Sequence, residues 1–274
     1  MSIGEVLTPV RERYAHWLGL DAVEVERDGR EDPEEVRALQ LILRLERDGS
    51  PDRATALALA ATGCALLCLD ERSAPGGPWH AEVDAYCRGH IRKVTRRARG
   101  ARWEASADLP GLSFEQGDTQ IRVLVPGRVG DLDKRVSVMQ VGGTEIPPVD
   151  PDDDTPAPAA DPATTPHEGP HLRCVVPASL EMTAGKLMAQ TGHAGMIAAA
   201  LAAETDPDLL RRWFEADCPA VAEVADERCW RDLLASLQDP AVAWTEHRRL
   251  AVRDAGYTEV DPGTITVVAT LEKG

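Results

Sequence analysis

Lysine is scarce in this chain. Only four of the 30 basic residues are lysines (Lys93, Lys134, Lys186 and Lys273), so arginine is the default cation. A lysine therefore carries information where it occurs, because an ammonium is a compact charge whose pKa moves with burial, whereas a guanidinium stays charged. No run of 18 apolar residues is present, which excludes an ordinary helical membrane span. The opening MSIGEVLTPVRERY has neither the basic start nor the apolar run of a secretory signal, and predicts a cytoplasmic protein. The six cysteines (64, 68, 87, 174, 218 and 229) contain no CxxC pair. Cys64 and Cys68 share one helix face, but two ligands do not make a zinc site, so no metal is expected and the thiols read as buried and reduced.

Positive charge is also in deficit. The 274 residues carry a net −16, which places a burden on any nucleic-acid reading: cations must be concentrated somewhere. Residues 147–170, PPVDPDDDTPAPAADPATTPHEGP, hold eight prolines and six acids with no lysine or arginine. Such a segment buries too little to offset its ordering entropy, and predicts a semi-extended, mobile linker between residues 1–146 and a block at 171–274. Ten basic and 16 acidic side chains leave that C-terminal block at −6.

The N-terminal part predicts an α-rich α+β domain of unknown function. EDPEEVRALQLILRLERDG has early acids, spaced apolar residues and a closing glycine, and reads as a helix. SPDRATALALAATGCALLCLDER is apolar almost all round and reads as a buried helix. WHAEVDAYCRGHIRKVTRRARGARWEA reads as a third helix, with Ile91, Val94, Ala98 and Ala101 as its apolar seam. Its wide cationic face bears Arg92, Lys93, Arg96, Arg97 and Arg99, a patch suited to a phosphate backbone. TQIRVLVPG alternates as a strand, and LDKRVSVMQVGG is ambiguous between helix and strand.

The C-terminal block predicts the order β-α-α-β-α-β-β, an α/β domain with a small mixed sheet and helices on its faces. Its strands are residues 172–177, 219–225, HRRLAVRDAG and TITVVATLE. Its helices run from an N-cap at Thr183 to Ala203, then 206–217, then 226–238 with Trp230, Leu233, Leu234 and Leu237 inward. KVTRRARGA (93–101) and KLMAQTGHA (186–194) share Lys, Ala and their spacing. That pattern raises an internal pseudo-pair of related halves.

TAGKLMAQTGHAG (183–195) carries three chemically different polar groups, Lys186, Gln190 and His193, on one side of a helix made mostly of small residues. Gly185 near the helix start leaves backbone N–H groups open to close approach, and Lys186 beside them makes a plausible oxyanion or phosphate site. VRDAGYTEVDPGTITVV ends a strand at Asp254, turns through Ala255-Gly256, and presents the Thr258 hydroxyl.

These two motifs resemble the second, archaeal- and eukaryotic-type peptidyl-tRNA hydrolase family. Its Met-x-x-Gly-Lys-x-x-x-Gln-x-x-His-Ala helix matches Met182, Gly185, Lys186, Gln190, His193 and Ala194. Its Asp-Ala-Gly-x-Thr and Pro-Gly-Thr segments match Asp254 to Gly256 with Thr258, then Pro262 to Thr264. The chain departs from it at Tyr257 and Glu259, where the family commonly has Arg and Gln. The resemblance covers 171–274 and implies hydrolysis of the ester between a peptide and the 3′-terminal ribose of tRNA, without metal or cofactor. It implies that Lys186, Gln190, Asp254 and Thr258 line the cleft, with Asp254 and Thr258 orienting or deprotonating water, Lys186 neutralising the oxyanion or the terminal phosphate, and Gln190 holding the ester. His193 is a second base or pins the helix to the sheet. The cationic run at 92–99 would then be an accessory tRNA grip. The alternative is a non-catalytic tRNA- or ribosome-associated module on the same fold, and a homodimer is left open.

Overall fold

The computed structural model describes residues 3–17, 32–46, 51–146, 168–254 and 259–274. Most of the Pro/Asp-rich segment, and the Ala255–Thr258 stretch of the second motif, lie outside the described residues. In chain order the elements are α1 (Thr8–Trp17), β1 (Arg37–Arg44), α2 (Arg53–Leu69), α3 (His80–Arg88), β2 (Arg92–Ala98), α4 (Ala101–Ala105), β3 (Gly111–Gln116), β4 (Thr119–Leu124), β5 (Gly127–Arg128) and α5 (Lys134–Ser137). The second half continues with β6 (His171–Pro177), α6 (Ala184–Thr205), α7 (Pro207–Glu215), β7 (Ala220–Ala225), α8 (Glu227–Ala235), α9 (Pro240–His247), β8 (Arg249–Arg253) and β9 (Ile265–Glu272).

Side-chain caps set the helix starts. Asp52, Thr183, Asp206, Asp226 and Asp239 each accept a backbone N–H three residues on, opening α2, α6, α7, α8 and α9. The expected N-cap at Thr183 is therefore present, as is the buried helix α2. The C-terminal order gains one helix, α9, between α8 and β8. Its start is the dipeptide Asp239-Pro240, the same signal that opens α7 at Asp206-Pro207.

Two expected helices are strands. Arg37–Arg44 forms β1, because its run ALQLIL is buried on both faces in the middle of a sheet. Such strands show no alternation, so their apolar spacing is indistinguishable from a helix stripe. The cationic run forms β2 after α3 stops at Arg88. Arginine favours helices locally, but here Arg96 is buried beside the sheet and donates to Gln40 Oε1 (2.7 Å) and the Met139 carbonyl (2.9 Å). Tertiary hydrogen bonds outweigh a propensity worth only tenths of a kcal/mol per residue.

The two halves repeat one topology. In the first sheet the order is β2-β1-β4-β3, with β1 parallel to β2 and antiparallel to β4; β5 adds a short pairing to β1. In the second the order is β7-β6-β9-β8, with β6 parallel to β7 and antiparallel to β9. So α2 corresponds to α6, and β2 to β7. The pairing of 93–101 with 186–194 read from the sequence is thus corrected: the former is a strand, and the partner of the 186–194 helix is α2.

One core joins the halves. Leu39, Leu41 and Leu43 of β1 and Leu172, Cys174 and Val176 of β6 belong to the same buried cluster, with α2 and α6 between them. Ile42 and Val175 point the other way, into two smaller clusters on the outer faces of the sheets. Five cysteines are buried and Cys229 is exposed. Burial pushes the thiols of Cys64 and Cys174 up to about 12, as inert structural thiols require.

At the α2–α6 crossing the contacts come in exchanged pairs. A Cβ on Gly192 would lie 2.8 Å from Cys64 Sγ, and one on Gly195 would lie 2.1 Å from the Ala61 carbonyl oxygen. Counted from their N-caps, Gly192 corresponds to Ala61 and Gly195 to Cys64, so each contact is the other with the halves swapped. This is the isologous pattern of a two-fold dimer, built here within one chain.

Candidate active site

The amino-terminal part of α6 and the end of β8 meet at a cleft of about 580 Å³. Both halves line it. The C-terminal half supplies Lys186, Gln190, His193 and Asp254, and the N-terminal half supplies Arg13, Arg92, Lys93 and Thr95. Its volume is in the range of small-molecule sites, about 300–1,000 Å³.

Asp254 is the centre of the polar network. Backbone bonds to Gly263 and Thr264 hold it: its N–H donates to the Thr264 carbonyl (2.9 Å), and its carbonyl accepts from Gly263 N (2.7 Å). Gly263 sits at φ +83°, which explains a glycine after Pro262. The side chain is buried, and Oδ2 receives both the Lys186 ammonium at 2.5 Å and the Gln190 amide at 2.7 Å. Gln190 is itself buried, and its Oε1 accepts from Thr266 Oγ1 at 2.8 Å. An ionised carboxylate can only accept, so the amide turns its NH₂ to Asp254 and leaves Oε1 for the Thr266 hydroxyl. Thr266 was missed in the sequence, where it is one more β-branched residue of TITVV. Only the inward register of β9 marks it.

The start of α6 is closed rather than open. Thr183 Oγ1 accepts from Lys186 N (3.1 Å), and Glu259 takes the Thr183 N–H (2.9 Å) and hydroxyl (3.0 Å). An acid at a helix N-terminus is favourable, by about 0.3–1 kcal/mol where exposed. Glu259 therefore acts as a cap, not only as a departure from the family pattern. Gly185 is approached by the other half. A Cβ there would meet Thr144 Oγ1 at 2.2 Å, and the Gly185 carbonyl accepts from Thr95 Oγ1 at 2.7 Å. The expected anion site at this helix start is corrected accordingly: Glu259 and Thr144 fill it, and the Lys186 side chain, paired with Asp254, brings the helix's positive charge to the cleft.

Of the cationic run, Arg92 and Lys93 line the cleft. Arg96 is spent on Gln40 and Met139, and Arg97 on the Gln140 side chain and the Gly143 carbonyl (3.1 Å). Arg99 is exposed just beyond β2. His193 is partly buried, and its ring pKa is held well below the usual histidine value by desolvation first, then by Lys93 and Lys186. Thr258 lies outside the described residues. Among those described, no three His, Cys, Asp or Glu side chains converge as a metal site would require, and no helix is long and apolar enough to cross a membrane.

Known proteins match the C-terminal part of the chain. The model of the family described as "Peptidyl-tRNA hydrolase PTH2" matches residues 171–271. A peptidyl-tRNA hydrolase of Thermococcus sibiricus is 32% identical over 96 residues, which span 35% of this chain and 77% of that protein. One of Thermococcus onnurineus is 30% identical over the same shares. A probable peptidyl-tRNA hydrolase 2 of Schizosaccharomyces pombe is 34% identical over 94 residues, 34% of this chain and 44% of the yeast protein. With residues 171–271 matching the family model and 77% of a relative covered at 32% identity, this chain belongs to the PTH2 family of peptidyl-tRNA hydrolases.

Proposed function

We propose that the chain hydrolyses the ester of peptidyl-tRNA, with residues 171–274 carrying the chemistry and residues 1–146 forming the second wall of the cleft. The observation that carries this reading is the convergence of Lys186 and Gln190 on one oxygen of a buried carboxylate at the cleft. Asp254 serves as the base for water, together with the Thr258 hydroxyl. Lys186 moves its charge between Asp254 in the resting site and the oxyanion of the tetrahedral intermediate, and Gln190 positions the ester. Lys186 supplies the positive charge, so the reading calls for no metal, and both walls come from one chain, so it calls for no second copy. On this reading the protein works in the cytoplasm, where its substrate arises as a product of translation.

The test is single-turnover cleavage of an N-acetyl-aminoacyl-tRNA by the full chain and by Lys186→Ala. Cleavage by the first, reduced about 10²–10³-fold in the second, is the expected result, the range typical of losing one oxyanion-stabilising group. Absence of cleavage by the unaltered chain sinks the reading.

Arg92 on the N-terminal wall, with exposed Arg99 beyond it, is the tRNA grip. If Arg92 contacts a phosphate, Arg92→Ala weakens tRNA binding and lowers the slope of log affinity against log salt by about 1. Filter binding across a salt series measures it. An unchanged slope places the phosphate path elsewhere.

A further inference from the structure

Lys93 is the one lysine of the N-terminal sheet, and its ammonium lies 3.2 Å from His193 Nδ1 on the opposite half. We propose that Lys93 is a positioning residue for the active site: it fixes His193 as the neutral Nε2–H tautomer, so that His193 serves the cleft as a hydrogen-bond donor and not as a base. The catalytic part of this inference rests on the hydrolase reading above; the tautomer part does not.

The hydrogen-bond inventory around Lys93 Nζ carries it. The Tyr86 hydroxyl spends its single proton on the Ile91 carbonyl (2.8 Å), so toward Lys93, at 3.1 Å, it can only accept. The Ile91 carbonyl (3.5 Å) and the Met196 thioether (3.6 Å) can only accept as well. An ammonium nitrogen has no lone pair, so at 3.2 Å it can only donate to His193 as well, and the longer contacts at 3.5 and 3.6 Å share the remaining proton. Nδ1 must then hold a lone pair, and the ring proton of a neutral imidazole sits on Nε2. The histidine lines the cleft, so a donor group is what it offers there.

The charged and titratable groups around the pair agree. On its own helix, His193 faces Lys186, which Asp254 from β8 holds. Around Lys93 stand Cys64 and Cys68 of α2 and Tyr86 and Cys87 of α3, all buried. No carboxylate among the groups named touches the imidazole to favour its protonated form. Burial and two ammonium groups disfavour it. The lysine comes from β2, so the N-terminal half reaches through the interface to set the protonation of a C-terminal residue.

The experiment is ¹⁵N NMR of the histidine-labelled full chain, with the His193 signals assigned by their loss in His193→Gln. It is recorded over pH 5–8 for the unaltered protein, Lys93→Met and Lys93→Arg, with single-turnover hydrolysis alongside. In the unaltered protein Nδ1 should show the shift of an unprotonated, hydrogen-bonded nitrogen and should not titrate in this range. Lys93→Met removes the donor and the charge but keeps the chain volume. It should let His193 sample both tautomers and raise its pKa by the share that the Lys93 charge contributes, burial and Lys186 keeping the rest of the depression. Lys93→Arg should retain the tautomer. A proton on Nδ1 in the unaltered protein overturns the proposal without any variant, so it stays testable even if Lys93→Met fails to fold. An unchanged tautomer and titration in a folded Lys93→Met overturns it as well. If the tautomer behaves as described but no peptidyl-tRNA is cleaved, the hydrolase reading fails and the role of Lys93 toward His193 stands.

Discussion

Asp254→Asn should lose hydrolysis about 10²–10⁴-fold, the range by which a positioned base accelerates a reaction, while its affinity for tRNA stays close to that of the unaltered protein. The substitution keeps size and shape. Its amide oxygen can still take the Gln190 proton that Asp254 Oδ2 takes at 2.7 Å. What it removes is the negative charge that can accept a proton from water, and with it the counter-charge of Lys186. The pair is well buried, the carboxylate side chain being 3% exposed and the ammonium side chain 16%. Breaking a buried pair on one side typically costs about 3–5 kcal/mol, and the partial exposure of Lys186 puts this case at the lower end. Single-turnover rates and a urea melt on the same sample separate the two effects. A rate within a few-fold of the original, in a protein that remains folded, excludes Asp254 as the base. A rate lost only in proportion to the folded fraction makes it a structural residue.

Most of this site could be read from the sequence, and for a physical reason. Lys186, Gln190 and His193 sit on one helix, where spacing alone fixes which side chains share a side. Asp254 follows from a strand end and a turn glycine. The groups that act on these residues from elsewhere could not be read. Thr266 aims Gln190 from an adjacent strand, Glu259 returns to cap α6, and Lys93 comes from the other half. Each depends on sheet register or on the crossing of α2 and α6, neither of which leaves a local pattern. The fold divides the same way. α2, α6, α7 and α8 were legible because a capping residue precedes each, with α2 apolar over a helix-length run and α7 and α8 apolar on one helical face. β1 and β2 were not, because one is apolar on both faces and the other places arginines inside a polar seam. The repeated topology was within reach only as a suspicion. Its halves share strand order and helix position but different residues at the motif: counted from the N-caps, Thr55, Leu59 and Thr62 of α2 stand where α6 has Lys186, Gln190 and His193. The N-terminal copy therefore keeps the scaffold and lacks this polar set. What it contributes is the cleft wall and Lys93.

That contribution depends on how closely the two helices approach, and Gly195→Val measures it. A Cβ at Gly195 would lie 2.1 Å from the Ala61 carbonyl oxygen and 2.8 Å from its carbon. Both are backbone atoms of a buried helix, so no side chain can swing away and α2 must move. Removing a glycine from a helix interior ordinarily helps, by up to about 1 kcal/mol for Ala and less for a β-branched residue. Here the sign reverses, since forced overpacking of a dense interior costs about 1–3 kcal/mol and sometimes more. The melting temperature should fall by about 2–12 °C, taking roughly 2–4 °C per kcal/mol for a protein of this size class. Hydrolysis should fall further than stability does in the variant at low temperature. The Thr191 hydroxyl reaches the Leu57 carbonyl at 2.8 Å one turn from the crossing, and Lys93 meets His193 beside Gly192. Spreading the helices by even a few tenths of an ångström loosens those bonds while the Asp254 network, confined to one half, stays closed. Gly195→Ala grades the effect with a single methyl. If Gly195→Val melts at or above the unaltered protein, the halves do not meet through α2 and α6 and the shared cleft has no wall. If it melts lower but hydrolyses as before, the wall is a support for the C-terminal half and takes no part in the reaction.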